Sequence, residues 1–465
     1  MSRIENDFLG SLEIPDDVYY GVQTMRGKQN FHITEMPMSQ EPFFAIAFAY
    51  VKKAAALTNK ELGTIPADVA DALVWACDQL IAGKYNDQFV TDWLQGGAGT
   101  STNMNCNEVI CNLACEHLGL AKGDKKVSPN DHANFGQSTN DTYPTALHLS
   151  LILRSNVLVK AVEDLVASFY KQAEKTKDVL KMGRTHLQDA VPMSFAQEFH
   201  GWGTTIGDEI KTIREAQEHL KVVNLGATAI GTTVTCHPEY PAKAVKRLAE
   251  LTGIPFVNSD DLNAATSDCG AYVALSSACK SLAVKLTKVC NDLRLLASGP
   301  RTGLGEIVLP QLQPGSSIMP GKVNPVIPEV TNQAAFLAIG LDTSVMLAAS
   351  AGQLELNVME PVISFALYMQ MKVLTNSCNA LREKCIDGIV VNAKHCEDLV
   401  MGSLGIITVL KPHFGYKPCA NIAREGFLTG KSLHELIVDE KKMLTQEQWD
   451  KVFTHDNLIN PKFEQ

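Results

Sequence analysis

The feature that most restricts the fold is a set of long apolar seams at helical spacing. Between residues 272 and 298, Leu275, Cys279, Leu282, Leu286, Val289, Leu293 and Leu296 recur at alternating steps of four and three. A heptad pattern of this kind keeps one face of a long helix turned toward neighbours that run nearly parallel to it. Residues 194–220 repeat it through Phe199, Trp202, Ile206, Ile210, Ile213 and Leu220, and residues 147–169 through Leu147, Leu151, Leu158, Val162, Leu165 and Phe169. A further stretch, about 327–386, is apolar over much of its surface, and Pro361 is expected to kink or break it. The fold class that follows is mainly α, with a central bundle of long helices. The apolar surface exceeds one seam, which favours burial between subunits of a homo-oligomer. β-Branched alternation is scarce outside short pieces such as Thr232-Thr233-Val234-Thr235.

The seams shorten before residue 139 and after about 395, so the 465 residues divide into an N-terminal helical domain (1–139), the bundle (140–394) and a small C-terminal helical domain (395–465). A net charge of −10 argues against general affinity for nucleic acid or an anionic membrane. An anionic substrate therefore needs a local cluster of donors. No apolar leader opens the chain, and no stretch approaches the ~18 uninterrupted apolar residues of a membrane span. A cytoplasmic location is expected. The twelve cysteines sit in apolar surroundings and read as reduced thiols. Cys106, Cys111, Cys115 and His117 alone resemble metal ligands, yet they lie in an apolar helical pattern without a matching second pair, which favours buried thiols. With no HExxH, Walker loop or strand-linked GxGxxG, neither a catalytic metal nor a nucleotide cofactor is expected.

Four polar segments interrupt the apolar pattern. In Gln95-Gly96-Gly97-Ala98-Gly99-Thr100-Ser101-Thr102-Asn103-Met104-Asn105, glycines permit a tight backbone, and the polar side chains can either cap the next helix or present donors to a carboxylate. Gln137-Ser138-Thr139-Asn140-Asp141 offers the same two readings, and nearby Asn130-Asp131-His132 reads as a solvated loop or a second polar site. The third segment, 181–192, places Arg184, Thr185 and His186 side by side and ends at Pro192, which suits the first turn of a helix. The fourth is Gly315-Ser316-Ser317-Ile318-Met319-Pro320-Gly321-Lys322-Val323-Asn324-Pro325. Its prolines and glycines prevent regular helix, and its hydroxyls, cation and amide are hard to explain as structure alone.

Together these segments resemble the aspartase/fumarase superfamily, in which GSSIMPGKVNP is the signature loop. The resemblance covers essentially the whole chain, including Tyr19-Tyr20-Gly21-Val22-Gln23-Thr24 and NLGATAIGT at 224–232. It implies an all-α, three-domain subunit and a homotetramer whose central helices form a shared bundle, with each active site drawn from three subunits. Within the superfamily, Asn324-Pro325-Val326-Ile327-Pro328-Glu329-Val330 and the 351–361 segment ending in Glu360-Pro361 look like the aspartases, which release ammonia from L-aspartate to give fumarate. Class II fumarases are the alternative, and His186 does not discriminate. A catalytically silent helical scaffold would not need Ser316, Lys322, Asn324, Thr185 and His186 intact.

The resemblance also assigns roles. Ser316 is the general base. Thr100, Ser138, Thr139 and Ser317 hold the β-carboxylate, whose charge grows as the Cβ proton leaves and an enediolate forms. Lys322, Asn324 and Thr185 hold the α-carboxylate. Asn140 and His186 position the amino group, and Glu329 pairs with His186. Arg26 and Arg184 either support the site electrostatically or serve in structural ion pairs. No cofactor is required on this reading, and activation by a divalent cation at a separate site is left open.

Overall fold

The structure is a computed structural model that describes residues 2–460; Met1 and residues 461–465 of the expected C-terminal domain lie outside the described residues. An antiparallel hairpin of β1 (Ser2–Asp7) and β2 (Gly10–Pro15) precedes α1 (Val22–Asn30), α2 (Pro42–Glu61), α3 (Ala67–Ile81), α4 (Thr100–His117) and the long α5 (Thr139–Lys175). A second hairpin, β3 (Leu180–Thr185) and β4 (Gln188–Ser194), leads into α6 (Phe195–His219). After α7 (Tyr240–Thr252) and α8 (Leu262–Ser267) come three more long helices, α9 (Gly270–Leu296), α10 (Val326–Ser350) and α11 (Glu360–Lys384). Short helices close the chain: α12 (Ala393–Gly402), α13 (Lys411–Phe414), α14 (Tyr416–Thr429), α15 (Gln446–Val452) and α16 (His455–Ile459).

The seams lie where the spacing predicts. Leu147, Leu151, Leu158, Val162, Leu165 and Phe169 of α5 are buried, as are Leu275, Cys279, Leu282, Leu286, Val289 and Leu293 of α9. Two compact units are drawn from the chain. The first comprises Met1–Lys160, Ile210–Ala283 and Ala335–Thr375. In it, the Nε2 amide of Gln217 in α6 donates to Ser155 Oγ of α5 at 2.7 Å, and Ser276 Oγ of α9 donates to Asp342 of α10 at 2.7 Å. The second comprises Ala161–Glu209, Val284–Ala334 and Asn376–Gln465. There, Phe169 of α5 packs edge-on against Trp202 of α6, and a small core of Val400, Ile406, Leu410, Ile422, Leu436 and Trp449 gathers around Leu180 and Met182 of β3.

Pro361 sits in the first turn of α11, where its missing N–H costs nothing. The break before it is stabilised by Asn357, whose Nδ2 donates to the terminal carbonyls of Ala348 (3.0 Å) and Ala349 (3.1 Å) of α10. The 19–24 motif also has a structural reason. Buried Glu108 of α4 accepts the main-chain N–H groups of Gly21 (2.8 Å), Gln23 (2.8 Å) and Thr24 (3.1 Å), so a carboxylate from another helix caps α1.

Two sequence expectations need correction. Pro192 does not open a helix: it lies in β4 opposite Met182, and α6 begins at Phe195 after a reciprocal pair in which Ser194 Oγ accepts the Gln197 N–H (3.2 Å) and Gln197 Oε1 accepts the Ser194 N–H (3.0 Å). Residues 232–235 are loop, with Thr233 and Thr235 at positive φ (58° and 79°), so their β-branched alternation marks no strand. By length and average composition α5 and α10 are apolar enough for a span, although neither holds an uninterrupted apolar run of that length. The α5 window is 67% buried within the chain and the α10 window only 28%.

All twelve cysteines are free thiols and, apart from Cys236, buried. Burial pushes the thiols of Cys106 and Cys115 up to about 12 and about 11, and the His117 ring stacks on Trp75 at 4.2 Å between centroids.

Candidate active site

The first compact unit carries Thr100, Ser138, Thr139 and Asn140. Thr100 opens α4 but does not cap it by side chain; its hydroxyl donates back to Gly97 O at 2.7 Å. The N-cap is Gly99, at φ 92°, where a Cβ would stand 2.2 Å from Cδ2 of Tyr143. Glycine is required there twice over, for the left-handed backbone and for the close approach of the aromatic ring. The start of α5 is thereby held against the start of α4.

At α5 itself Ser138 does act as a cap: its Oγ accepts the Asn140 N–H at 3.3 Å, while its own N–H donates to Asp141 Oδ1 at 3.0 Å. Asp141, fully buried, also accepts the N–H groups of Gly226 (3.0 Å) and Thr228 (2.9 Å) through Oδ2. Burial pushes its carboxyl up to about 6 against the opposing pull of these donors. The 138–141 turn is thus tied to the 224–228 segment, which explains that second motif. Asn224 reinforces the tie by donating to Asn140 O at 3.0 Å, and Asn140 Nδ2 donates to Ala229 O at 2.7 Å. Asn140 Oδ1 has no hydrogen bond among the described residues, which leaves it as an available acceptor.

Beneath the turn lies buried Lys52, whose Nζ donates to Asn134 Oδ1 (3.1 Å) and Gln137 Oε1 (3.0 Å). Asn134 Oδ1 also accepts from Asn103 and Asn107, and Asn103 donates to Thr139 Oγ1 at 3.2 Å. Desolvation holds Lys52 down to about 8. Sequence reasoning passed over Asp141, although Ser-x-x-Asp before an apolar helix is a capping signature. It also passed over Lys52, which nothing in its local pattern distinguishes.

The second unit carries the other candidates. His186 and Leu187 form the two-residue tip of the β3–β4 hairpin, with Thr185 opposite Gln188 and both tip residues at positive φ (56° and 60°). A two-residue turn with both residues left-handed matches the strand twist, but it normally uses Asn-Gly. Holding a histidine and a leucine there costs on the order of 1–2 kcal/mol each. Thr185 and His186 are exposed at this tip. No hydrogen bond or ion pair joins His186 to Glu329 within the chain among the described residues. Arg184 is committed elsewhere, in an ion pair of 2.5 Å with buried Glu306, and Arg26 grips Asp7 through Nε and Nη2 at 2.8 Å each. The structure gives both arginines the ion-pair reading.

The 315–325 loop is closed at its base and open at its crown. Gly315 N–H donates to Lys322 O at 2.7 Å, and Asn324 Nδ2 donates to Gly315 O at 2.9 Å. A Cβ on Gly315 would come within 2.9 Å of both Asn324 N and Lys322 O, so only glycine allows the neck to close. The crown is exposed, with Ile318 84% accessible, and Ser317 and Lys322 reach solvent. Within the crown, Ser316 Oγ accepts the N–H groups of Ile318 (3.2 Å) and Met319 (3.0 Å), and the Lys322 N–H donates to Met319 O at 3.2 Å. Two N–H dipoles aimed at one hydroxyl oxygen favour its anionic form. Glu329 follows in the first turn of α10, where its N–H donates to Pro325 O at 3.2 Å.

A family model described as a lyase matches residues 10–340, and one described as the fumarase C C-terminus matches residues 406–460. The sequence is 51% identical to an aspartate ammonia-lyase of Helicobacter pylori over 99% of this chain and 98% of that one. It is also 51% identical to an aspartate ammonia-lyase of Escherichia coli, over 99% and 97%. Among solved structures, a fumarate lyase:delta crystallin from Brucella melitensis bound to cobalt superposes with a TM-score of 0.95 at 43% identity, over 98% of this chain and 99% of that one. A class II fumarase from Schistosoma mansoni superposes at 0.93 with 33% identity, over 99% and 100%.

Proposed function

This chain belongs to the class II fumarase/aspartase superfamily of lyases, and from that premise we infer that it is a carbon–nitrogen lyase converting L-aspartate reversibly to fumarate and ammonia. The observation that carries the chemistry is the pair of main-chain N–H groups on Ser316 Oγ. The Cβ proton of aspartate is a very weak acid, so a serine can remove it only as an alkoxide in a site that excludes water. Two N–H donors, with the Lys322 charge on the same loop, lower the cost of that anion when the loop closes. As the proton leaves, charge accumulates on the β-carboxylate, and donors already in place stabilise it without reorganising. Thr100, Ser138, Thr139 and the chain at Ser317 supply those donors. Lys322, Asn324 and Thr185 anchor the α-carboxylate. Asn140 accepts from the amino group, and His186, oriented by Glu329, completes its position. The amine leaves without a strong acid.

The active assembly on this reading is a homotetramer, with the turn, the hairpin tip and the loop of each site supplied by three subunits. Its support is α10. One face of this helix is buried through Ala335, Ala338, Val345 and Ala348, while Val330, Phe336, Leu337, Met346 and Leu347 on the other are 47–60% exposed. Burying each of the larger side chains contributes about 1.5–3 kcal/mol. A second copy of the same helix gives that seam a matching surface. The donor set answers the charge of the reaction by itself, so no cofactor is required. We place the enzyme in the cytoplasm, where a protein with twelve free thiols stays reduced.

The activity is tested by incubating the purified protein separately with L-aspartate and with L-malate and following fumarate by ultraviolet absorbance. Fumarate is expected from aspartate. Its appearance from malate alone would reverse the assignment to water chemistry.

A further inference from the structure

A cavity walled in part by Pro144, Thr145 and His148 of α5, which follow the 138–141 turn, has no part in the proposed reaction. It measures about 550 Å³ and lies entirely within the first compact unit, between the starts of α5, α9 and α11 and the 222–224 segment. Thr145, His148, Asn224, Tyr272 and Glu360 line it, and His219 and Asp268, both exposed, stand at its mouth. Two of its wall residues touch the substrate turn from behind. Asn224 donates to Asn140 O at 3.0 Å, and Thr145 Oγ1 donates to Asp141 O at 2.7 Å.

Glu360 is the anomaly. It is only 7% exposed, yet among the described residues its carboxyl has one hydrogen bond, a long one of 3.4 Å from the Tyr272 hydroxyl. A buried carboxyl left this poorly paired is costly unless something else partners it. No lysine or arginine lines the cavity. The inner histidine, His148, does not repel a cation, because burial holds its ring down to about 4 and therefore neutral. Once ionised, Glu360 inside and Asp268 at the mouth favour a cation, and the neutral hydroxyls and amide suit one that donates hydrogen bonds in several directions.

We propose that this cavity is a binding site for the ammonium ion, with Glu360 as its anionic partner. The proposal rests on the ammonia-lyase reading, since ammonium is then the product of one direction and a substrate of the other. Ammonium carries four donors on a compact centre, fits the cavity with room for water, and can be shared between Glu360 and the Tyr272 hydroxyl. Burial pushes the empty Glu360 carboxyl up to about 8. It is faced by Tyr272 and Cys269 at the start of α9 and by Tyr143 and His148 of α5, with His219 and Asp268 beyond. Uptake of ammonium at neutral pH then releases the Glu360 proton to solvent, and the charge in the cavity balances. Asn224 of the cavity wall donates to the main chain of Asn140, the residue that positions the substrate amine, so the site stages ammonium for amination of fumarate and retains it after deamination.

Two measurements test this on the intact protein. Isotope-labelled ammonium chloride, titrated without fumarate and followed by nitrogen NMR, should bind saturably to the wild type. Glu360→Gln, which matches the shape of the protonated acid, should weaken that binding at least about tenfold, the loss of one charge-assisted hydrogen bond. In the amination of fumarate, the same variant should raise the KM for ammonium by a similar factor while leaving the KM for fumarate within about twofold. Asp268→Asn, at the exposed mouth, should weaken ammonium by about twofold and serves if the first variant does not fold. Equal ammonium affinity in the wild type and in whichever variants fold overturns the site. Deamination of L-aspartate by the wild type tests the activity by itself, whereas the binding titration decides the cavity whether or not that activity is present.

Discussion

The 138–141 turn and the 315–325 loop look alike as sequence: each is a run of hydroxyls and amides with a helix following. As structure they are opposites. The turn is buried around Asp141, which satisfies three main-chain N–H groups and joins the turn to the 224–228 segment, with Lys52 and three asparagines bracing it from below. The loop is fixed only at its neck, through Gly315, Lys322 and Asn324, and presents its crown to solvent. On the proposed function, the difference separates two tasks. A carboxylate cradle works best when its donors are already held in place. A base that is active only when water is excluded belongs on a segment that can open and close.

Variants can break this division or sharpen it. The largest effect is expected at Ser316. Replacing it with alanine should lower turnover by about 10²–10⁴, the range for a lost general base, while KM changes by no more than about threefold. A variant that instead raised KM with turnover intact would move Ser316 into the cradle. Next comes Asp141→Asn. Its amide would turn an NH2 toward the N–H groups of Gly226 and Thr228 or of Ser138, a loss of about 2–4 kcal/mol in folding stability by denaturant titration, with KM rising as the turn shifts. An unchanged midpoint would show that the turn is not braced by this carboxyl. Lys322→Ala should act on the loop's binding role, raising KM about 10- to 100-fold with a smaller change in turnover; an unchanged KM would contradict its place as an anchor.

The smallest effect is a slope with pH. Burial holds the folded Lys52 at about 8, below its ordinary 10.5. Between those values the unfolded chain keeps a proton that the folded one has lost, so stability from this group rises as pH increases across that window. Thermal midpoints of the wild type and Lys52→Met should therefore diverge in the wild type's favour from about pH 8 to 10.5. Parallel curves would mean that Lys52 is not desolvated and does not brace the turn.

How much of this was legible in the sequence depends on the range over which each feature is set. Helical seams are local and periodic, so α5, α6 and α9 could be read from spacing, and the break before Pro361 from one residue. The β3–β4 hairpin could not: His186-Leu187 carries no Asn-Gly signal, because the tip is held in a costly conformation by the strands around it. The same tertiary override put Pro192 into a strand. At the site, the four polar segments announced themselves by interrupting apolar helices, and Ser138 proved to be both a cap and a candidate donor. Asp141, Lys52 and Glu360 were silent because their significance is burial, which depends on residues distant in the chain. Glu306 is silent for the same reason, and it alone explains why Arg184 is committed to an ion pair.

The division between cradle and loop is tested most directly by amide hydrogen exchange on the assembled enzyme, with and without saturating fumarate. The account predicts slow exchange at 139–142 in both states, and exchange at 316–323 that is fast in the free enzyme and strongly slowed when fumarate is bound. Equal protection of the loop in both states would contradict it, as would a turn that becomes protected only when ligand arrives.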